Sequence, residues 1–259
     1  MSTAPWDRAS RMLVPVDGRR RAEIAVLNPD LPDVATLFTF MRDAELRFQT
    51  LRMRVEETNV GVGGDRRTVH EVSLRHPGDA KVISTDPEGA ISSDYQVWIS
   101  DGETVRTYSG VHRLGTERPV RRRVVGLEDP DLPGRSAVYT PVTALPMESI
   151  VDTMVHPGGF AQNVLATGEC WIGGTASVAG REAIVVESDH PRTIEIGADR
   201  PDHHFQVSVD RETGVVIRLV ETIAGLVTRM ATATNLGPDV ALPPSAFVFT
   251  FPAGTTLIY

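Results

Sequence analysis

The sequence has a single cysteine, Cys170, among its 259 residues. One cysteine cannot form an internal disulfide, so a packed core rather than covalent cross-links must hold the fold together. This composition is compatible with a reducing compartment without requiring one. A nucleophilic cysteine needs a lowered pKa and a neighbouring base, and the residues around Cys170 indicate neither. We predict that Cys170 is a buried structural residue within a β-strand.

Long hydrophobic runs are also lacking. No stretch approaches the roughly twenty apolar residues that cross a bilayer as a helix. Near the N-terminus the longest apolar run is residues 12–16. A signal peptide has an apolar core of about seven to fifteen residues, which is longer than this run. For the sequence as given we therefore expect a cytoplasmic location and no transmembrane segment.

Excess positive charge is missing, because the formal net charge is -8. Nucleic acids and anionic membranes attract proteins through positive surface potential, so the net charge argues against both as general partners. Two arginine triplets, residues 19–21 and 121–123, are local exceptions. Runs of this kind are usually solvated surface, and we expect no nucleic-acid partner.

Recognisable catalytic motifs are absent. The Gly-x-Ser-x-Gly nucleophile motif does not occur. The glycines of residues 61–64 lack a third glycine at the spacing of a dinucleotide-binding loop, and they precede a predicted strand. An enzyme would need a site assembled from distant residues, for which His70, His112, His203 and a carboxylate are the candidates. We expect a non-catalytic protein without a cofactor.

The best metal candidate is the run Asp202-His203-His204, with His190 upstream. Neighbouring side chains on a strand point to opposite faces, so His203 and His204 cannot easily bind one ion. A zinc site needs three or four convergent ligands, and this spacing supplies no such set. We predict no metal site and interpret the two histidines as an exposed loop pair.

What the sequence does have is alternating β-prone segments separated by turn residues. Residues 94–108 place two such segments around Asp101-Gly102, a dipeptide that suits a tight hairpin turn. Further turns are predicted at Ala179-Gly180, at residues 211–214 and at Ala224-Gly225. Because helices are missing between most strands, the sheet should be mainly antiparallel. The expected fold class is α+β with a dominant antiparallel sheet.

Short helices are predicted at two places. Asp33 can cap a helix over residues 34–46, and residues 146–155 carry Met147, Ile150, Val151 and Met154 on one stripe. The following His-Pro-Gly-Gly run should end that second helix, with another turn over residues 160–165. Residues 1–32 are expected to form an N-terminal arm, residues 126–146 a long loop, and residues 120–125 and 247–251 two further strands.

The order of these segments resembles the LolA-like lipoprotein-carrier family of bacteria. The resemblance depends on residues 98–108, on 210–214 between two strands and on the closing run 244–255, and it covers about residues 34–259. It implies a strongly curved antiparallel half-barrel, residues 33–259, covered on its concave side by short helices. The N-terminal domain of the regulator RseB shares that fold. The carriers of this family are exported, and we expect the present protein to depart from them, because no export signal is recognised in the sequence as given.

The resemblance implies two functions. The first is binding of an acyl chain or lipid in a hydrophobic cavity on the concave side, for which large pliable side chains are the candidates. Those candidates are Trp98, Met154, Phe160, Trp171 and Phe205. Each could instead simply fill the core. The alternative function is an RseB-like regulatory module that docks a protein partner through an apolar patch or a free sheet edge.

Overall fold

The computed structural model describes residues 26–89, 94–120, 141–191 and 202–258. Within these ranges twelve strands form one sheet in the order β12-β6-β5-β4-β3-β2-β1-β11-β10-β9-β8-β7. All neighbours are antiparallel except β12 and β6, which are parallel. The strands are β1 Thr50–Asn59, β2 Arg66–Arg75, β3 Asp79–Thr85, β4 Tyr95–Asp101, β5 Thr104–Ser109, β6 Leu114–Pro119, β7 Glu169–Val178, β8 Arg181–Asp189, β9 His203–Asp210, β10 Val216–Ile223, β11 Leu226–Pro238 and β12 Thr256–Ile258.

The sheet consists of two meanders joined at one place. Strands β1 to β6 follow each other in space as in sequence, and so do strands β7 to β11. The pairing of β1 with β11 joins the two meanders, and it runs from Leu51 opposite Pro238 to Asn59 opposite Arg229. The predicted α+β half-barrel with a mainly antiparallel, curved sheet is confirmed.

Three short helices lie on the concave side: α1 Val34–Arg42, α2 Ile150–Val155 and α3 Pro157–Asn163. The predicted cap is present, since the Asp33 carboxylate accepts a hydrogen bond from the Thr36 amide at 2.7 Å. Helix α1 ends at Arg42, earlier than predicted, and a 3-10 turn covers Ala44–Arg47. The predicted stop after α2 is confirmed, because α2 ends at Val155 and His156 is its non-helical C-cap. Pro157 then begins α3, where its missing amide proton costs nothing.

The core lies between these helices and the sheet. On β1 the side chains of Leu51, Met53 and Val55 are fully buried, as their alternation predicts. Helix α1 lies against α3 and β7, and α2 lies against β10. Side chains of the helices therefore fill the concave side over this half of the sheet. The fully buried ones include Leu37 and Met41 of α1 and Val151 and Met154 of α2.

The predicted final strand over residues 247–251 is wrong. Residues Pro244–Phe247 form a 3-10 turn, and the last strand is β12. Between them the chain crosses the convex face of β3 to β6, where Phe249 packs against Tyr108 with ring centroids 5.7 Å apart. Phe251 lies so close to Gly115 that a Cβ there would come within 2.6 Å of its ring. The alternating phenylalanines that predicted a strand instead anchor an extended covering segment.

The described part of the N-terminal arm is attached to the sheet at Arg211. The Nη2 atom of Arg211 donates hydrogen bonds to the backbone oxygens of Asn28, Pro29 and Asp30. The rest of the predicted arm lies outside the described residues, as do the strand predicted at 120–125, apart from residue 120, and most of the long loop. The division into an arm of residues 1–32 and a domain of residues 33–259 stays a prediction.

Candidate functional site

The concave face is filled unevenly. Over β9 to β11, β1 and β2 the helices leave almost no exposed side chain. Over β4 to β6 the same face is covered only in part. Ser100 and Val105 are buried there, but three cross-strand neighbours beside them stay half-buried: Trp98, Thr107 and Thr116. The two threonine hydroxyls hydrogen-bond each other at 2.7 Å. We call these three residues the concave trough.

The trough combines one large aromatic surface with two hydroxyl groups. Trp98 also packs against the core cluster and lies opposite Val82 of β3. A half-buried tryptophan offers a broad apolar face while its indole N–H can still reach a polar partner. The trough is therefore a surface on which an apolar chain could lie.

Three other predicted site residues lie together in the filled half. Phe160 of α3 and Phe205 of β9 pack edge to face with ring centroids 5.4 Å apart. Met154 of α2 is fully buried, Phe205 is nearly so and Phe160 is half-buried. Of the three, Phe160 alone remains partly accessible, while Met154 and Phe205 serve the core.

Trp171 does not join the other four. On β7 it is opposite Glu187, while Cys170 is opposite Ser188 on the core face. Trp171 therefore points away from the concave side, is 40% exposed and lies near the ring of His204. The strand alternation that places Cys170 inward necessarily places Trp171 outward.

A row of polar side chains crosses the concave face at one end. Glu57 receives hydrogen bonds from Arg229 Nε at 2.6 Å and from His70 Nε2 at 3.1 Å, and His203 Nε2 bonds Glu221 at 2.8 Å. Arg229 and Glu221 are direct cross-strand partners, which links the two groups. With Ser84, which bonds His70, these residues form what we call the polar rung.

The polar rung is charged and mostly buried. Burial acts to raise the pKa of Glu57, but the hydrogen bond from His70 and the charge of Arg229 outweigh it and lower that pKa to about 2. His203 is 2% exposed, and its Nδ1 has no hydrogen-bond partner among the described residues. A buried polar atom normally has a partner, so this nitrogen is an unsatisfied group within the rung.

The histidine pair is not an exposed loop pair, as we had expected. Both residues begin β9 and point to opposite faces: His203 is buried in the polar rung, and His204 lies between Asp189 and Glu187 on the convex side. Partial burial acts to lower the pKa of His204, but hydrogen bonds to the two carboxylates outweigh it and raise that pKa. The alternation argument was right, whereas the loop assignment was wrong.

A second buried polar cluster lies under the helices. His76 Nδ1 is 2.8 Å from Thr143 Oγ1, and His156 bonds Asp152 at 2.8 Å and lies 3.6 Å from Glu45. Burial, with a smaller contribution from the charge of His156, lowers the pKa of His76 to about 3. The cluster joins α2, the turn after α1 and the β2–β3 turn.

The depressed pKa of His76 predicts acid sensitivity. In the unfolded chain this imidazole takes up a proton near pH 6.5, whereas in the folded protein it stays neutral down to about pH 3. Its contribution to the free energy of unfolding therefore falls by about 1.4 kcal/mol per pH unit below pH 6. Urea unfolding from pH 6 to 5 should show a shallower decline for His76→Asn than for the unchanged protein. Parallel declines would contradict this prediction.

Of the remaining candidates, His70 and His203 both belong to the polar rung, whereas His112 lies apart from it. Among the described residues no group of three or more His, Cys, Asp and Glu side chains could hold a metal ion. His112 is exposed in the turn after β5, while His70 and His203 lie on strands with three others between them. Cys170 is half-buried rather than buried, its thiol donates to the Leu165 carbonyl at 2.9 Å, and burial raises its pKa.

One cleft outside the concave side has a different character. It lies at the start of β8 and the end of β9, and His203 is at the other end of β9. The volume of the cleft is about 380 Å³. Its charged side chains pair with each other, Arg181 with Asp210 and Arg211 with Glu182. A cleft lined in this way does not suit an apolar ligand.

No helix within the described ranges is long and apolar enough to cross a membrane.

Comparisons with known proteins give similarities to solved structures alone. No family model matches the sequence, and no curated protein matches it. Among solved structures the chain is similar to MucB in the Pseudomonas aeruginosa MucA/MucB complex, with 16% identity and a TM-score of 0.48 over 84% of this chain and 61% of that one. An uncharacterized conserved protein from Thermus thermophilus gives 7% identity and a TM-score of 0.48 over 86% and 98% of the two chains.

A LolA superfamily protein from Nitrosomonas europaea gives 10% identity and a TM-score of 0.33 over 85% of this chain and 99% of that one. The curved antiparallel half-barrel that the LolA-like resemblance implied is present in the structure itself. The chain spans about three fifths of the MucB chain. At these identities, and with TM-scores below 0.5, the similarities carry no argument about ligand or partner.

Sequence reasoning missed the polar rung. The signal was present on β1, where the inward alternation Leu51, Met53, Val55 continues to Glu57. A carboxylate at the next inward position of a core strand predicts a buried charge that needs a partner. The partner, Arg229, is 172 positions away, and no local pattern indicates that β1 pairs with β11.

Proposed function

We propose that this chain is a non-catalytic binding protein that holds an acyl chain or lipid on the concave side of its half-barrel. The supporting observation is the uneven filling of that side. Helices pack tightly over one half of the sheet, while the trough at Trp98 stays half-buried. A binding site for an apolar ligand needs such accessible apolar surface beside a few placed polar groups.

The trough and the polar rung together fit an amphiphile. His70 of the rung bonds Ser84, and Ser84 is the cross-strand neighbour of Gln96, two residues before Trp98 on the same face of β4. An apolar chain on Trp98 and the threonines would thus lie close to the row of charged and hydroxyl groups. The polar end of the ligand would meet that row, and its hydrocarbon part would lie in the trough. No covalent step is required.

The test uses the difference between two tryptophans. A dansyl-labelled fatty acid should bind with saturation and quench Trp98 by energy transfer. Trp98→Ala should weaken binding about tenfold, which corresponds to about 1.4 kcal/mol of lost contact. Trp171→Ala is the matched control, because Trp171 lies on the convex face, and it should change binding less than about twofold.

Trp98→Phe separates binding from folding, since it keeps an aromatic face and should retain most of the affinity. Native mass spectrometry of the purified protein should show a lipid adduct. The proposal fails if the unchanged protein shows no saturable uptake, or if the two alanine variants weaken binding equally.

A protein-docking module of the RseB-like kind is the second candidate. The observation that favours it is strand β7, which ends the sheet and has no strand on its outer side among the described residues. A free edge can accept an extended segment of a partner by strand addition. Recovery of a stoichiometric protein partner with the tagged chain from its native host would support this function, and recovery of the chain alone would exclude it.

A further inference from the structure

Two neighbouring hairpins extend beyond the polar rung. The β1–β2 and β10–β11 turns lie side by side, because the Val60 amide donates a hydrogen bond to the Thr228 carbonyl at 2.9 Å. Large apolar side chains on and beside these turns are exposed. We call them the apolar tips: Val60, Val62, Leu226, Val227 and Met230.

The apolar tips project into open space. Val62 is fully exposed and Leu226 is 73% exposed. A Cβ added at Gly63, Gly64 or Gly225 would meet no atom within 4 Å. Exposed apolar clusters of this kind are uncommon on a protein surface unless something covers them. Two narrow turns offer no flat face for a folded partner, but they suit a soft, deformable one.

The order of side chains along the strands indicates what that partner is. From the centre of β1 outward, Met53 and Val55 are fully buried and apolar, Glu57 belongs to the polar rung, and Val60 and Val62 belong to the apolar tips. When the tips enter the acyl region of a lipid leaflet, the next layer outward is the polar head groups. The polar rung would then lie at the level of the head groups.

The charge around the tips gives no positive patch. Arg66 and Arg67 begin β2 directly behind the first turn, and Arg229 lies in the rung. Each of these arginines is paired with a carboxylate: Arg66 with Asp86, Arg67 with Glu56 and Arg229 with Glu57. Because neither these pairs nor the net charge of -8 favours electrostatic adhesion, insertion of the apolar side chains must supply the affinity.

We propose that the apolar tips insert into the surface of a lipid bilayer and place the polar rung, at one end of the concave face, at the level of the lipid head groups. The bilayer is then the source or the destination of the ligand. Only this last point rests on the proposed function, since docking itself needs nothing more than the two hairpins.

Vesicle flotation tests the docking. The full chain is mixed with vesicles of phosphatidylcholine alone and of phosphatidylcholine with phosphatidylglycerol. The unchanged protein should float with both, and the double variant Val62→Asp, Leu226→Asp should partition at least tenfold less. Val248→Asp is the matched control, because Val248 is 62% exposed in the segment that covers the convex face. Its partition should stay within twofold of the unchanged protein.

A parallel measurement separates docking from ligand binding. The double variant should still bind the dansyl-labelled fatty acid in vesicle-free buffer, while Trp98→Ala should still float. Docking is overturned if the unchanged protein does not float, if the double variant floats equally well, or if the double variant also loses fatty-acid binding. Flotation by Trp98→Ala without fatty-acid binding by any form would retain the docking and refute the proposed ligand instead.

Discussion

Asp210→Ala is expected to lower the free energy of unfolding by about 4 kcal/mol, the largest effect we predict for a single substitution. The Asp210 carboxylate is 1% exposed and accepts hydrogen bonds from Arg181 Nε at 2.6 Å and Nη2 at 3.0 Å. It also accepts from the amide and hydroxyl of Thr213 at 2.8 and 2.6 Å. Removing the carboxylate leaves Arg181 Nε and the two Thr213 donors without this acceptor, and that loss exceeds the value of the pair itself.

Glu212→Ala is the matched control for Asp210→Ala. Glu212 bonds the same guanidinium at 2.6 Å, but its side chain is 73% exposed. Exposed ion pairs contribute little, so we expect a loss below about 1 kcal/mol. Chemical denaturation of both variants measures the difference. Equal losses would show that burial of Asp210 does not determine its contribution.

Met154→Ala is expected to cost about 3 kcal/mol. Met154 is fully buried between α2 and the sheet, and truncation leaves a cavity that the surrounding core cannot fill completely. A ligand-facing residue in an open cavity would instead tolerate truncation with a much smaller loss. The measurement is the midpoint and slope of urea unfolding.

Met147→Ala provides the control, because Met147 lies just before α2 and is 64% exposed. We expect a change within about 0.5 kcal/mol. The two methionines share a helical stripe in the sequence, so the comparison isolates the effect of burial. A loss at Met154 no larger than that at Met147 would contradict the packed interior described above.

Local patterns predicted much of the architecture. The alternation of Leu51, Met53 and Val55, the turn at Asp101-Gly102 and the cap at Asp33 are short-range features, and each is present in the structure. The errors also have physical causes. Phe247, Phe249 and Phe251 alternate as in a strand, but they meet the face of an existing sheet rather than an edge, so they form no ladder.

The candidate site was less predictable. Trp98, Met154, Phe160 and Phe205 are large and apolar, and residue type alone cannot distinguish a side chain that fills the core from one that lines a trough. The difference depends on where α2 and α3 end over the sheet. The polar rung and the apolar tips both depend on β1 meeting β11, a contact between distant parts of the chain that no local pattern specifies.

The single join between the two meanders has a consequence for how the chain reaches its native state. Contacts within each meander are close in sequence and can form early, whereas β1 must wait for β11, which is synthesised about 170 residues later. Until then β1, although paired with β2, has its other edge free, and such an edge is where aggregation can begin. The pairing of β11 with β1 therefore covers the strand edge that earlier folding leaves free.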